Sequence, residues 1–293
     1  MSIFFSIIIP VFNRPLEILK ALESIKLQKK SNIEVLIIDD SNDNTTKNIN
    51  EFIYSNSSIK IKLIKPTKRA GVSKSRNIGI ISSLGNIILF LDSDDELIIG
   101  ALDNVEKAFI KYKKLDLYFG SCIFKSSKKN HYSDRNLPKI GYYSDYIKSI
   151  NQPEMLPAFR CDSAIKKEFL YEESLTGFEH ILYLKILKNG GIFYRDPKYI
   201  RLYDDQGNDR LNISNPKNYK NMRSGYLKLI RLFGYDFFRY NLKILLIYFA
   251  KLVIYNRLID HKNSLSFANL LAILTLPIPK YFIKKSISFL KNN

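Results

Sequence analysis

Cysteine is almost absent from this sequence: Cys122 and Cys161 are the whole complement in 293 residues. Two thiols cannot staple a disulfide scaffold, and their spacing matches no metal motif, so the chain reads as the product of a reducing compartment, the cytosolic side. Long hydrophobic runs are missing too. The best candidate, near Ile244 to Ala250, is bracketed by Lys243 and Lys251, far short of the ~18 apolar residues of a spanning helix. The apolar opening, Met1 to Pro10, has neither a basic lead nor a small-residue cleavage site. It therefore reads as a buried first strand rather than a signal peptide. No internal repeat is visible, and no recognisable nucleic-acid module. Acidic residues are the minority charge, 28 against 46 Lys and Arg, for a net +18. Such a balance suits nucleotide phosphates, nucleic acid or an anionic membrane, although biased codon usage accounts for a Lys-, Asn- and Ile-rich chain equally well.

What is present is an alternation of short β-branched runs and helical patterns over the first hundred residues, the signature of a parallel sheet covered on both faces. Ser6 to Val11 predicts a first strand, with a helix starting around Asn13-Arg14-Pro15 and running along Leu16, Leu19, Leu22 and Ile25. Ile33 to Ile38 predicts a second strand ending at Asp39-Asp40, followed by a helix to about Tyr54. Ile59 to Leu63 predicts a third strand, one face wet. A helix is expected over Ser73 to Ser82, and a fourth strand over Ile87 to Leu91 ending in Asp92-Ser93-Asp94-Asp95. Each acidic cluster thus falls at the carboxyl end of a strand, the edge where open α/β sheets bind ligands. Beyond Gly100 the pattern gives a helix over Leu102 to Lys113, a strand over Leu115 to Phe124 and a loop over Lys125 to Tyr146. A helix over Phe178 to Lys188 and a short strand over Ile192 to Arg195 follow.

Asp92, Asp94 and Asp95 form the most informative cluster. Hard divalent cations take oxygen ligands, and residues two apart at a strand end point the same way, so Asp92 and Asp94 can converge while Asp95 opens the turn. Three adjoining carboxylates repel one another, which favours a bound cation. The competing expectation is a capping box, Ser93-x-x-Glu96 ahead of an apolar run.

Four segments in order, Ser6-Ile7-Ile8-Ile9-Pro10-Val11-Phe12-Asn13, Val35-Leu36-Ile37-Ile38-Asp39-Asp40-Ser41, Ser75-Arg76-Asn77-x-Gly79 and Phe90-Leu91-Asp92-Ser93-Asp94-Asp95, resemble the family 2 glycosyltransferases. The resemblance is close over residues 1 to 110 and thins towards 210. It implies an α/β GT-A fold, a Rossmann-like nucleotide-binding sheet with an acceptor-binding half, here carrying a C-terminal basic helical region. The implied divisions are 1–110 for the nucleotide-sugar half, 111–215 for the acceptor half and 216–293 for a helical extension. The implied activity is inverting, non-processive transfer of a sugar, in surface polysaccharide assembly, from a nucleotide-diphosphate donor such as a UDP-sugar to a glycan or lipid-linked glycan. Mn²⁺ or Mg²⁺ would be held by Asp94 and Asp95. Pro10, Phe12 and Asn13 would line the base, Asp40 would accept from its ring N–H, Arg76 would lie near the diphosphate or ribose, and Asp92 would face the ribose or donor sugar.

Where the family commonly carries a Glu-Asp pair as catalytic base, this chain reads Thr176-Gly177-Phe178-Glu179-His180, with His180 in the Asp position. Glu179 and His180 are therefore both candidate bases, an imidazole being matched to proton transfer near neutral pH. Asp204 or Asp205 could add a ligand from a loop over the donor. From about Tyr219 the tail carries 13 Lys or Arg against 2 acidic residues, mixed with aromatics on amphipathic helices expected over Phe237 to Tyr255 and Leu270 to Phe289. That composition suits peripheral attachment to the inner face of a cell membrane, or a helical cap or dimer contact. A nucleotidyltransferase is disfavoured because no Gly-rich loop follows the first strand. A nucleic-acid-binding protein is disfavoured because clustered Asp residues repel a phosphate backbone. A donor-binding pseudo-enzyme stays open through His180.

Overall fold

The computed structural model describes residues 4–127, 139–150, 154–161, 169–206 and 215–260. The chain divides into two compact units, one of Met1–Glu173 with Glu179–Asn208, the other of Ser174–Phe178 with Asp209–Asn293.

The first unit is built on one mixed sheet in the order β3 (Lys60–Ile64), β2 (Ile33–Asp39), β1 (Phe5–Val11), β4 (Ile87–Phe90), β8 (Met155–Arg160), β6 (Leu117–Phe124), β9 (Phe193–Tyr203), β5 (Glu96–Leu97). Strands β1 (Phe5–Val11), β2 (Ile33–Asp39), β3 (Lys60–Ile64) and β4 (Ile87–Phe90) are mutually parallel. The apolar runs of β1, β2 and β4 are buried on both faces, as the unbroken pattern of β1, Phe-Ser-Ile-Ile-Ile-Pro-Val, requires. The connecting helices are α1 (Glu17–Lys26), α2 (Thr45–Ser55) and α3 (Gly71–Ser82). One core joins Ile7 and Ile9 of β1 with Ile18, Leu22 and Ile25 of α1 and with Leu102 and Val105 of α4 (Ala101–Lys111). On the other face α3 lies against β1, and Gly79 is what permits the approach: a Cβ there would stand 2.3 Å from Ile8 Cγ2.

Strand order reverses between β1 and β4, creating the crevice at which open α/β sheets bind ligands. Past β4 the sheet turns antiparallel: β8 (Met155–Arg160) pairs β4 and β6 (Leu117–Phe124), while β9 (Phe193–Tyr203) runs parallel to β6 and antiparallel to β5 (Glu96–Leu97). Three differences from the sequence expectation stand out. The expected loop over Lys125 to Tyr146 holds β7 (Ile140–Gly141) and the start of α5 (Tyr143–Lys148), its middle lying outside the described residues. The short strand expected at Ile192 extends to Tyr203, because Pro197 and Lys198 bulge out of the ladder and pairing resumes at Tyr199. Strand β8, with Pro157 inside an apolar run, is an addition to the expected elements. α6 spans His180–Lys188.

The second unit is an αα-hairpin of α7 (Tyr219–Tyr240) and α8 (Leu242–Asp260). The single helix expected over Phe237 to Tyr255 is broken at Asn241, whose φ of −158 is extended and whose amide oxygen accepts from Ile244 N–H at 3.2 Å. Aromatic contacts run antiparallel along the pair, Tyr219 on Tyr255 and Phe237 on Tyr248. Residues 174–178 join this unit: Asn221 brackets the Thr176 backbone through bonds of 2.9 and 2.8 Å, and Gly225 leaves room for the Phe178 ring. No helix among the described residues is long and apolar enough to cross a membrane. The stretch expected to be helical over Leu270 to Phe289 lies outside the described residues.

Candidate active site

The carboxyl ends of β2 and β4 carry acidic residues beside the end of β1, and each acid of the β4 cluster meets a specific donor. Asp92 accepts from the Arg76 guanidinium at 2.8 Å, Asp94 is ion-paired with Arg14, and Asp95 faces the Arg201 guanidinium at 3.0 Å. Three carboxylates are thus matched by three arginines from α3, the β1–α1 loop and β9. The repulsion that the sequence implied is answered by the chain itself. The capping box is corrected as well: Glu96 opens β5, pairing Leu202, and the next helix begins at Ala101. Asp95 N–H closes a turn on Asp92 C=O at 3.0 Å.

Arg76 does more than hold Asp92. It is almost fully buried, and its second arm reaches Glu179 at 2.9 Å, immediately before α6. It also lies over the Phe90 and Tyr171 rings, 5.7 and 5.6 Å from their centroids. Its neighbour Asn77 fixes that wall, since its amide accepts from Tyr171 N–H at 2.8 Å and donates to Tyr171 C=O at 3.0 Å. Burial works against charge on Arg76, but the Asp92 and Glu179 carboxylates outweigh it and hold its pKa well above the ordinary value. Burial likewise opposes charge on Asp92, yet Arg76 and Arg201 draw its carboxyl below the usual range. Asp94 moves the other way: burial raises it and Arg14 compensates only in part. Asp95 is pushed by burial to about 7, against the pull of Arg201.

Asp95 is the deepest of the three. Its Oδ1 accepts from Asp204 N–H at 2.8 Å and its Oδ2 faces Arg201. Arg201 in turn donates to Glu154 at 2.9 Å and to Cys122 Sγ at 3.1 Å. Asp94 is less enclosed, and its backbone C=O accepts from Lys125, which also pairs with Glu96 at 2.9 Å. Asp205 points elsewhere, to Ser126. No cluster of three His, Cys, Asp or Glu side chains arranged to cage a metal occurs among the described residues.

On the β1–β2 side, Pro10 is half-buried at the end of β1 and the Phe12 ring stacks under Arg69, 4.1 Å from guanidinium carbon to centroid. Asn13, exposed and at φ 51, donates its N–H to Ser41 Oγ and accepts from Asn42 N–H, so the β1–α1 and β2–α2 loops are tied together. Asp40 accepts from Ala70 N–H and from Gly71 N–H at 2.7 Å, anchoring the start of α3. His180 opens α6 with its Nε2 buried, whereas the Glu179 carboxylate is partly exposed.

The structure therefore brings Asp92, Arg76 and Glu179 into one hydrogen-bonded group and sets Asp94 and Asp95 beside it. Sequence reasoning missed Arg14, Arg201, Glu154 and Lys125. For Arg201 the available signal was a charge inside the otherwise apolar Tyr199-Ile200-Arg201-Leu202-Tyr203, since a charge in a buried strand needs a partner.

This crevice geometry coincides with a family match. Residues 6–171 match Glycosyl transferase family 2, more than half of the chain, and the chain belongs to that family. Over 232 residues it is 26% identical to GalNAc(5)-diNAcBac-PP-undecaprenol beta-1,3-glucosyltransferase of Campylobacter jejuni, covering 78% of this chain and 73% of that protein. Over 97 residues it is 33% identical to the amylovoran biosynthesis glycosyltransferase AmsB of Erwinia amylovora, 32% of either chain. Among solved structures, S. aureus TarS 1-349 in complex with UDP-GlcNAc superposes with a TM-score of 0.62 at 17% identity, covering 94% of this chain and 76% of that one. Mannosyltransferase PcManGT from Pyrobaculum calidifontis, in complex with GDP-Man and Mn2+, superposes with a TM-score of 0.63 at 14% identity, covering 100% and 81%. The fold is accordingly GT-A, and the chain is a glycosyltransferase that uses nucleotide-sugar donors.

Proposed function

We propose that this protein is an inverting, non-processive hexosyltransferase that moves a sugar from a UDP-sugar to a hydroxyl of a lipid-linked glycan in surface polysaccharide assembly. The observation that carries the reading is the Arg76 guanidinium joining Asp92 and Glu179 beside the β1–β4 crevice. It ties a carboxylate facing the donor to one able to accept a proton. The lipid-linked acceptor is supported by the Campylobacter jejuni relative, whose name specifies an undecaprenol-linked acceptor.

The base would lie between Phe12 and the β2–α2 loop. Although Asp40 already accepts two backbone N–H groups, a carboxylate offers about four lone-pair positions, and one can still meet the N–H of a uracil. Asp92 would contact the ribose or the sugar. The donor set suits a hard divalent cation of the Mn²⁺ or Mg²⁺ kind, which is usually held by one or two carboxylates plus substrate phosphates. Asp94 is the first ligand in this reading, being the less enclosed carboxylate and incompletely compensated by Arg14; Asp95 joins only by leaving Arg201. Such a cation, when bound, stabilises charge building on the departing diphosphate.

Glu179 would take the acceptor proton. It is partly exposed and held by Arg76, whereas the Nε2 of His180 is buried. Thermal unfolding with UDP-, GDP- and CMP-sugars, each with and without Mn²⁺, tests the reading: a donor at 100 times its Kd adds roughly 2.7 kcal/mol. Indifference to every nucleotide sugar would end it.

A further inference from the structure

The hairpin of the second unit has two unlike sides. Met222, Tyr226, Leu229, Phe233 and Phe237 are buried along the inner stripe of α7. On the opposite side large apolar groups stand out: Leu232, Tyr235 and Phe238 are 38, 74 and 62% exposed, and Leu242, at the start of α8, is 44% exposed. Exposed Arg231, Arg239 and Lys243 lie among them. Across α7 and α8 eight basic residues face two acids, Asp236 and Asp260. With the inner stripe already packed, these four exposed apolar side chains serve no core among the described residues, and a patch of this kind marks a binding surface.

We infer that this end of the hairpin docks on an anionic phospholipid surface. Aromatic rings with polar tips sit at the headgroup level, leucines reach the acyl boundary, and Arg and Lys meet lipid phosphates while their stems lie along apolar surface. Charge complementarity selects this occupant over a second copy of the chain, because a two-fold contact through the same face would set Arg231, Arg239 and Lys243 against their own like. Rings interleaved with arginine also suit single-stranded nucleic acid, but the aliphatic Leu232 and Leu242 gain little from stacked bases. The inference concerns a surface outside the carboxylate site and holds whichever sugar is moved.

The test is co-sedimentation of the full chain with vesicles of phosphatidylglycerol and phosphatidylcholine, or of phosphatidylcholine alone, in low and high salt. The wild type is expected to bind the anionic vesicles and be released by salt. Tyr235→Ser with Phe238→Ser, and separately Arg231→Gln with Arg239→Gln, should each weaken binding about tenfold or more, while Arg231→Lys with Arg239→Lys retains most of it. Melting temperatures and the thermal shift with nucleotide sugar are read on the same proteins, so loss of docking is separated from loss of fold or of the donor site. Equal binding to neutral vesicles, variants that bind unchanged, an oligonucleotide that outcompetes the vesicles, or a wild-type dimer that the variants split would each overturn the inference.

Discussion

Arg76 and Glu179 are 103 positions apart in the chain and meet at 2.9 Å, while the other arm of the same guanidinium holds Asp92 at 2.8 Å. One planar fork therefore fixes the distance between the two acids that the proposed reaction uses. A lysine cannot, since its ammonium is a single point charge on a flexible stem.

Arg76→Lys is expected to lower kcat by at least ~100-fold with a smaller change in KM, because misplacing a reacting group by about 1 Å can cost that much. Arg76→Ala should also cost about 2–3 kcal/mol of stability, below the range for fully buried pairs because Asp92 and Glu179 are partly solvated. Steady-state transfer and urea unfolding measure the two effects. A lysine variant with wild-type kcat would remove Arg76 from its bridging role.

Asp94→Asn and Asp95→Asn should part company in metal response. With UDP-sugar present, the extra thermal shift caused by Mn²⁺ should vanish in Asp94→Asn and persist, reduced, in Asp95→Asn, whose oxygens serve Asp204 and Arg201. Equal loss in both would mean that two carboxylates share the cation from the start.

Asp95 also predicts a pH dependence. Its carboxyl is raised from 3.8 to about 7 in the fold, so between these values the native state binds more protons than the unfolded chain. Its contribution to stability is complete below about pH 4 and is lost as pH rises through about 7. The difference in unfolding free energy between wild type and Asp95→Asn, measured in chelator from pH 4 to 8, should therefore shift against the wild type as pH rises. A flat difference would show that Arg201 keeps the acid ionised throughout.

Gly79→Ala should be destabilising by about 1–3 kcal/mol, since the new methyl collides with Ile8. Adding Ile8→Ala, which removes the Cγ2 methyl that the new Cβ meets at 2.3 Å together with Cγ1 and Cδ1, should relieve the collision while emptying some core volume of its own. Because Arg76 lies one turn earlier on α3, the single variant should also reduce kcat, and the paired variant should recover part of that loss.

Much of the first unit was legible because β1, β2 and β4 are near-continuous apolar runs, the latter two followed by aspartates, a pattern that a doubly covered parallel sheet produces and an amphipathic helix or a half-wet strand does not. The positions of Asp92 and Asp94 followed from where those runs stop, whereas Arg76 was reached only through the resemblance to the family. Arg14 and Arg201 were not legible as partners of the acids, since pairing across 80 and 106 residues is decided by sheet order and leaves no local period. Strand β8 was missed for a related reason: Pro157 lies inside it, and proline normally argues against an interior strand. The long α7–α8 pattern read as continuous because Asn241 breaks it with a single residue, without Gly or Pro to announce the stop.

The pairing of each aspartate with its own arginine has a bearing on how a charged guest would be received. Capturing a diphosphate together with a divalent ion becomes an exchange of counterions: Asp94 would trade one cation for another, and the released Arg14 could turn to the incoming phosphates. Total charge in the crevice would change little, so the occupied and empty forms need differ only in who neutralises whom.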